Sequence, residues 1–282
     1  LVRIFRIFRL DLYIRDYSMK ILFFGDVFGR PGREALAKII PAWRAKYSPN
    51  VVMANAENIS HGAGISENAI REIQEAGVNI MTGGNHSLEG KNAAELLNDA
   101  SLPLLRPENF AAGSPGRGFG YFDAGGKKLL VINLIGQAHM RQHYDSPWTA
   151  VDRILKENDD GEKAKHIIVD WHVDVTAEKM AMGWYLDGKV SAVLGTHAHT
   201  PTADERVLPK GTAFISDVGM VGPHHSIIGQ EIEANLQRYR TNLPTKVDVA
   251  EAPPYEINAV FLELDDDSGK AVIIQRLRNI LE

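Results

Sequence analysis

Two histidines, His197 and His199, follow a hydrophobic run that begins at Val193. In an extended backbone, side chains two positions apart project to the same side, so both imidazoles are expected to face one point at the carboxyl end of a strand. Neutral imidazole is the commonest metal ligand in proteins, and paired imidazoles suit zinc, iron or manganese. Because two loop histidines would give the same pattern, its meaning depends on what the other strand ends supply.

Four further hydrophobic runs, each typical of a buried strand, end in side chains that bind metal ions or move protons. They are residues 19–24 before Asp26, 51–54 before Glu57 and Asn58, 78–82 before Asn85 and His86, and 166–171 before His172. The carboxyl ends of parallel strands meet at one edge of a sheet, where open α/β proteins place their chemistry. We therefore expect all these side chains to converge with the two histidines of the first run.

Such a set of carboxylates, amides and imidazoles has the composition of a site for two metal ions. A carboxylate can bridge both ions, and two cations about 3.5–4 Å apart can clamp the attacking and leaving oxygens of an in-line phosphoryl displacement. The chain shows neither a serine nucleophile elbow nor a P-loop signature, which disfavours serine catalysis and Walker-type nucleotide hydrolysis.

The elements that must position these residues alternate between strands and helices, which predicts an α/β protein. Helices are predicted at 31–47, after the N-cap Ser66, at 89–99, 148–156, 176–186 and 230–239. Hairpins are predicted at 118–134 and 257–277, further antiparallel strands at 203–216, and loops at 137–147 and 217–229. No linker or repeat interrupts residues 19–282, so we expect a single domain there.

The composition is that of an ordinary globular protein: 282 residues, 44% hydrophobic and 24% charged, with a formal charge of −5. This negative net charge does not indicate the excess of basic residues that is typical of proteins that bind nucleic acid stably. The absence of cysteine excludes disulfides and thiolate metal sites, and it fits a reducing cytoplasm. No apolar run approaches the roughly 18–20 residues that a membrane span requires, so no membrane association is expected.

Residues 1–18 differ from the rest because four arginines alternate with large apolar side chains. This composition is compatible with a surface-binding arm or an organellar presequence. We favour Met19 as the natural start, with the upstream segment as an extension or a disordered tail. The arginines interrupt the apolar core that a secretory signal needs, which argues against export.

The motifs in order resemble the calcineurin-like metallophosphoesterase superfamily: GD at 25–26, EN at 57–58, GNH at 84–86, the lone His172 and GTHAH at 195–199. The longer strings GDVFGRPGR, ANAEN, GGNH, VDWHVDVTAEK, GTHAHTPTADERVLP and DVGMVGPHHSIIG are similar to its bacterial YmdB-type branch. The resemblance extends over roughly residues 19–280, in order and without large gaps.

The resemblance implies a four-layer α/β/β/α sandwich of two mixed sheets flanked by helices. It also implies two divalent or mixed-valence metal ions, usually iron and alternatively manganese, and the hydrolysis of 2′,3′-cyclic and also 3′,5′-cyclic mononucleotides. Carried over motif by motif, the expected ligands are Asp26, Asn58 and His199 for one ion, and Asn85, His172 and His197 for the other, with Glu57 bridging.

The chain departs from these patterns at four positions. Phe28 stands where the superfamily has a histidine, and Glu57 stands where most relatives have a bridging aspartate; Asn58 is expected to supply the missing ligand. Asp174 replaces a usual glutamate and Leu88 a common aromatic of the YmdB-type branch. The last two differences leave the metal ligands intact and bear on the fit of the substrate.

The expected reaction is the attack of a metal-bound hydroxide on phosphorus, with the non-ligand His86 donating a proton to the leaving oxygen. Three alternatives remain: a phosphomonoesterase or nucleotidase using the same metals, a non-catalytic metal-stabilised nucleotide-binding regulator, and a mononuclear hydrolase of amides or esters. The presence of both Glu57 and His86 argues against the regulator, because binding alone needs no acid. The expected partner is a small phosphodiester, with a homo-oligomer left open.

Overall fold

The computed structural model describes residues 18–282. The prediction of an extension or tail at residues 1–18 therefore lies outside the described residues, except for Ser18, which opens the first strand. The strands of the described part are β1 (Ser18–Val27), β2 (Val51–Asn55), β3 (Ile80–Thr82), β4 (Phe119–Asp123), β5 (Lys128–Ile135), β6 (His166–His172), β7 (Ala192–Thr196), β8 (Arg206–Val207), β9 (Ala213–Ile215), β10 (Met220–Pro223), β11 (Tyr255–Asp265) and β12 (Ala271–Leu281). The helices are α1 (Gly29–Tyr47), α2 (Glu67–Glu75), α3 (Ala93–Asn98), α4 (Pro147–Asp160), α5 (Thr176–Leu186) and α6 (Ile232–Thr241).

These strands form two mixed sheets of six strands each. The first has the order β12-β11-β10-β1-β2-β3, and the second has the order β4-β5-β6-β7-β9-β8. Strands β10, β1, β2 and β3 pair in parallel, as do β5, β6, β7 and β9. Strand β11 pairs antiparallel with β12, with β10 and with the first part of β1, and the pairs β4–β5 and β8–β9 are also antiparallel. Connections through helices are what parallel neighbours require, which explains why the site-bearing strands alternate with helices along the chain.

The alternation of side chains along β1 separates two hydrophobic cores. Leu22 and Phe24 face α1, where the ring of Phe24 stacks on Trp43 with a centroid distance of 5.5 Å. Ile21 and Phe23 face the opposite way, into the core that the two sheets share. A strand buried on both faces reads as a continuous apolar run, which is the pattern at residues 19–24.

The second sheet divides its side chains in the same way. Val131 and Ile168 join the core between the sheets, whereas Val169 packs outward with Ile154 of α4 and Met182 of α5. Helices thus cover the outer face of each sheet, and the sheets pack on each other. The predicted four-layer α/β/β/α sandwich is confirmed.

Strand β1 continues beyond residues 19–24, the run from which it was predicted, and the extension includes the site residue Asp26. The strand continues beyond Phe24 through an irregularity at Gly25, and Asp26 pairs in parallel with Met220 of β10. A Cβ at Gly25 would lie 1.8 Å from the carbonyl oxygen of Gly219, so only glycine permits this approach. The prediction of a loop at 217–229 is wrong at β10, whose short sequence has no periodicity and owes its strand conformation to pairing with β1 and β11.

The remaining elements agree with their predictions in type and differ by a few residues at their ends. Ser66 caps α2 by accepting a hydrogen bond from the backbone N–H of Ala69 at 3.4 Å. Helix α5 begins at Thr176 without a side-chain cap. None of the helices within residues 18–282 is both long and apolar enough to cross a bilayer.

Candidate metal centre

The side chains expected at the strand ends converge where the two sheets meet. Two groups of three have potential ligand atoms that all lie within 4.8 Å of one another. One group is Glu57, His172 and His197, and the other is Asp26, Glu57 and His199. The first sheet supplies Asp26 and Glu57, the second sheet supplies the three histidines, and Glu57 belongs to both groups.

The first group surrounds the Nε2 atom of His172, at the end of β6. This nitrogen lies 3.2 Å from Oε1 of Glu57, 3.0 Å from Oδ1 of Asn85 and 3.0 Å from Nδ1 of His197. His172 and Glu57 are buried. Four oxygen and nitrogen atoms able to bind a cation therefore face one small volume, with Asn85 and His197 on its partly exposed side.

The second group surrounds His199. Its Nε2 atom lies 3.1 Å from Nδ2 of Asn58 and 4.0 Å from Oδ1 of Asp26. The amide of Asn58 also donates to Oε1 of Glu57 at 3.1 Å, which joins this group to the first. The Nδ1 atom of His199 is hydrogen bonded to the carbonyl oxygen of Ile228 at 3.0 Å and therefore carries the proton, which leaves Nε2 unprotonated in the neutral ring.

Two observations show that this arrangement fits bound cations. The Oδ1 atom of Asp26 is buried and has no hydrogen-bond partner within residues 18–282, although a buried carboxylate oxygen without a partner is costly. At Gly84, a Cβ would lie 2.2 Å from Oε2 of Glu57 and 2.4 Å from Nε2 of His172, so the chain keeps this space free of side-chain atoms. Carboxylate, amide and imidazole donors without thiolate suit divalent iron, manganese or zinc.

The turn that carries the two histidines is not extended, contrary to the expectation from their spacing. Strand β7 ends at Thr196, and His197 and His199 have φ angles of 97° and 62°. Non-glycine residues rarely adopt such values, and those that do cluster at functional sites. The backbone N–H of His197 donates to Oδ2 of Asp26 at 3.1 Å. The two rings consequently point at different groups, one towards His172 and the other towards Asn58.

A buried ion pair is hydrogen bonded to the backbone of this turn. Lys179 of α5 is bonded to the carboxylate of Asp217, and both side chains are almost inaccessible to water. The same ammonium donates to the carbonyl oxygen of Thr196 at 3.0 Å, and Asp217 accepts from the backbone N–H of Ala198 at 3.0 Å. The pair therefore holds the backbone on both sides of His197 in place.

Burial and neighbouring charges shift the protonation of the site. Burial raises the pKa of Asp26 to about 7, against the opposing effect of nearby His199 and His172. Burial alone would lower the pKa of His172, but the carboxylates of Glu57, Asp26 and Asp170 raise it to about 9. Although burial disfavours the charged form of Glu57, His172 lowers its pKa below the ordinary value. Without metal, the site thus holds an imidazolium–carboxylate pair at neutral pH.

A cleft of about 330 Å³ opens onto the groups. His86 lines it, with its backbone N–H bonded to Oε2 of Glu57 at 3.1 Å and its Nδ1 atom 2.8 Å from Oε1 of Glu89. Phe28, at the position of the superfamily histidine, packs edge-on against His199 with a centroid distance of 5.4 Å. Asp174 also lines the cleft, so this departure from the YmdB-type pattern lies where a substrate would bind.

All eight candidate residues are thus brought together: Asp26, Glu57, Asn58, Asn85, His86, His172, His197 and His199. Their roles as ligands or proton donor remain predictions. Asp170 and Thr196, which lie directly behind His172, were not among the predicted site residues. The spacing contained a signal for Asp170, because it lies two residues before His172 and so projects to the same side of β6.

Comparisons with known proteins agree with this geometry. A family model described as YmdB-like protein matches residues 22–277. The chain is 41% identical to a 2′,3′-cyclic-nucleotide 2′-phosphodiesterase of Bacillus subtilis (strain 168) over 259 residues, 92% of this chain and 96% of that protein. A crystal structure of a hypothetical protein from Thermus thermophilus is similar with a TM-score of 0.86 and 39% identity, covering 94% of this chain and 100% of that one. A structure described as a novel phosphatase from Mycoplasma pneumoniae is similar with a TM-score of 0.87 and 32% identity, covering 93% and 94%.

These similarities extend over almost the whole of each matched chain, so they concern the complete sandwich and its site. Together with the two groups of potential metal ligands, they confirm the predicted class of enzyme, a metal-dependent phosphoric ester hydrolase. The chain belongs to the YmdB-like protein family.

Proposed function

We propose that this protein is a two-metal phosphodiesterase that hydrolyses cyclic mononucleotides, with 2′,3′-cyclic nucleotides as its main substrates and 3′,5′-cyclic nucleotides as a second class. The observation that carries the proposal is the position of Glu57, whose carboxylate belongs to both groups of potential ligands. A shared carboxylate between two neighbouring sites is the arrangement that bridges paired cations. The phosphodiesterase activity in the name of the Bacillus subtilis relative supports the substrate class.

In this proposal, Asp26, Asn58 and His199 hold one ion, and Asn85, His172 and His197 hold the other. Asn58 would bind through Oδ1. This requires its amide group to be turned, because Nδ2 is the atom that contacts His199. Bound divalent ions lower the pKa of water towards neutrality and neutralise charge that develops on a phosphoryl group. Iron is the proposed native metal and manganese its substitute.

The protein's own groups orient the substrate and supply a proton. The backbone N–H of His86 is bonded to Glu57, so this residue is held beside the site without being one of the grouped ligands. Since Nδ1 of His86 faces the carboxylate of Glu89, its Nε2 atom is the one available to the leaving ribose oxygen. The cleft beside it offers the ring of Phe28 and the side chain of Gln230 to a nucleoside.

The test is an assay of the manganese-loaded protein against 2′,3′-cyclic AMP, 3′,5′-cyclic AMP and 5′-AMP, with the variant E57Q as control. We expect turnover of the cyclic nucleotides, fastest with the 2′,3′-cyclic form, and loss of it in E57Q. Release of phosphate from 5′-AMP alone would identify a nucleotidase instead. Binding of cyclic AMP without any product would identify a regulator, and either result would overturn the proposal.

Three further expectations accompany this function. We propose that the protein acts in the cytoplasm, that its partner is the small phosphodiester itself, and that it has no stable contact with nucleic acid or membrane. The formal charge of −5 supports the absence of a general affinity for nucleic acid. The prediction of a homo-oligomer also stays open, and light scattering of the purified protein tests it.

A further inference from the structure

Asp170 is a buried carboxylate that the proposed chemistry does not use. It lies on β6 two residues before His172 and is inaccessible to water. It accepts hydrogen bonds from the hydroxyl of Thr82, from Nδ2 of Asn55 at 3.0 Å and from the hydroxyl of Thr196 at 2.7 Å. Asp170 thus joins the ends of β2 and β3 in the first sheet to the ends of β6 and β7 in the second.

When His172 is neutral, as a ligand to a cation must be, the hydrogen bonds behind it determine which of its two nitrogens carries the remaining proton. A threonine hydroxyl has a single proton, and that of Thr196 is donated to Oδ1 of Asp170. The oxygen of Thr196 can then only accept from Nδ1 of His172, which lies 3.0 Å away. The Nε2 atom, on the other side of the ring, faces Glu57. A deprotonated Nε2 is what a cation there requires.

We propose that Asp170 is a positioning residue that, through Thr196, keeps a proton on Nδ1 of His172 and so directs the lone pair of Nε2 into the metal site. Carboxylates that orient metal-binding histidines usually contact the ring directly, whereas here a hydroxyl relays the interaction. The inference rests on the proposed role of His172 as a ligand.

The chain offers a matched set of variants for this relay. T196V removes the hydroxyl between Asp170 and His172 and keeps the shape of the side chain, whereas T196S retains the hydroxyl. T82V is the control, because the hydroxyl of Thr82 also donates to Asp170 but makes no contact with His172. Two quantities are measured: the dissociation constant for Mn²⁺ by calorimetry, and the Nδ1–H resonance of His172 in the Zn²⁺-loaded, ¹⁵N-histidine-labelled protein.

We expect T196V to weaken Mn²⁺ binding by about 10- to 100-fold and to lose the protected Nδ1–H resonance. T196S and T82V should keep the Mn²⁺ affinity and the Nδ1–H resonance close to those of the unmodified protein. Unchanged Mn²⁺ affinity and an unchanged resonance in T196V would overturn the inference, as would an equal loss of affinity in T82V. If the unmodified protein bound no Mn²⁺, the proposed function would fail first and this inference with it.

Discussion

Oε1 of Glu57 lies 3.2 Å from Nε2 of His172, so a carboxylate that follows β2 of the first sheet meets an imidazole at the end of β6 in the second. Both side chains are buried, and a buried pair of this kind is stabilising only with close contact and further hydrogen bonds. The contact therefore joins the two sheets at one end. It also places the positive charge of the His172 imidazolium at the position where a bound cation would replace it.

Replacement of His86 by alanine is expected to lower turnover by about 10²- to 10⁴-fold, the usual contribution of a general acid, while the metal content stays normal. The reason is that His86 lines the cleft without belonging to either group of potential ligands. Steady-state kinetics together with metal analysis of the same sample measure both quantities. H143A is the control, because His143 is exposed and is not one of the residues that line the cleft. Loss of metal in parallel with turnover would show that His86 is a ligand.

The stability of the metal-free protein is expected to fall between pH 6.5 and about 9, because the pKa of His172 is raised from 6.5 to about 9. A group whose pKa rises on folding contributes stability that is complete below its unfolded pKa and is lost as the pH rises through its folded value. Asp26, whose pKa burial raises from 3.8 to about 7, acts in the same direction, and its contribution is lost between pH 3.8 and about 7.

Addition of Mn²⁺ should raise the melting temperature more at the alkaline end of this range than at the acidic end, because an ion must displace the proton of His172. Thermal melts across the range, with and without Mn²⁺, test this. A melting temperature of the metal-free protein that is constant or rises with pH would contradict the charge state inferred for His172.

The variant G84A is expected to lose metal and activity without unfolding. Its new methyl group would lie 2.2 Å from Oε2 of Glu57 and 2.4 Å from Nε2 of His172, so the two side chains must move apart. A displacement of about 1 Å at a catalytic site can cost 10²-fold in rate. Metal analysis and circular dichroism are the measurements, with G120A on the outer strand β4 as control. Full metal content in G84A would show that the ions do not occupy this space.

Replacement of Lys179 by methionine is expected to destabilise the protein by about 3 kcal/mol or more, because it leaves the buried carboxylate of Asp217 unpaired. K246M is the matched control: Lys246 also pairs with an aspartate, Asp248, but both side chains are largely exposed, and such pairs contribute little. Urea unfolding of the metal-free variants measures the difference. Equal effects of the two substitutions would show that the buried pair does not support the turn.

The layers and the convergence of the site were predictable because they depend on local patterns. Apolar runs such as residues 19–24 indicated strands buried on both faces, and the polar residues after them indicated a common edge. The conformation of the turn at His197 and His199 was not predictable from their spacing. It depends on Lys179 and Asp217, two residues distant in sequence that hold the backbone in a left-handed conformation.

Strand β10 was not predictable for a related reason. Its four residues include Gly222 and Pro223, which are poor strand formers, and its conformation depends on pairing with β1 and β11. The hydroxyl relay behind His172 likewise depends on contacts between strands. Periodicity places Asp170 on the same side of β6 as His172, but only the register with β7 brings Thr196 between them.

The number of metal ions bound per chain distinguishes a two-metal centre from a site for a single ion. Metal analysis of the purified protein, followed by titration of the metal-free form with Mn²⁺, gives that number without any assumption about the substrate. We expect two ions per chain, with both affinities weakened in E57Q because Glu57 belongs to both groups of potential ligands. A single ion per chain, or none, would contradict a two-metal centre at the junction of the two sheets.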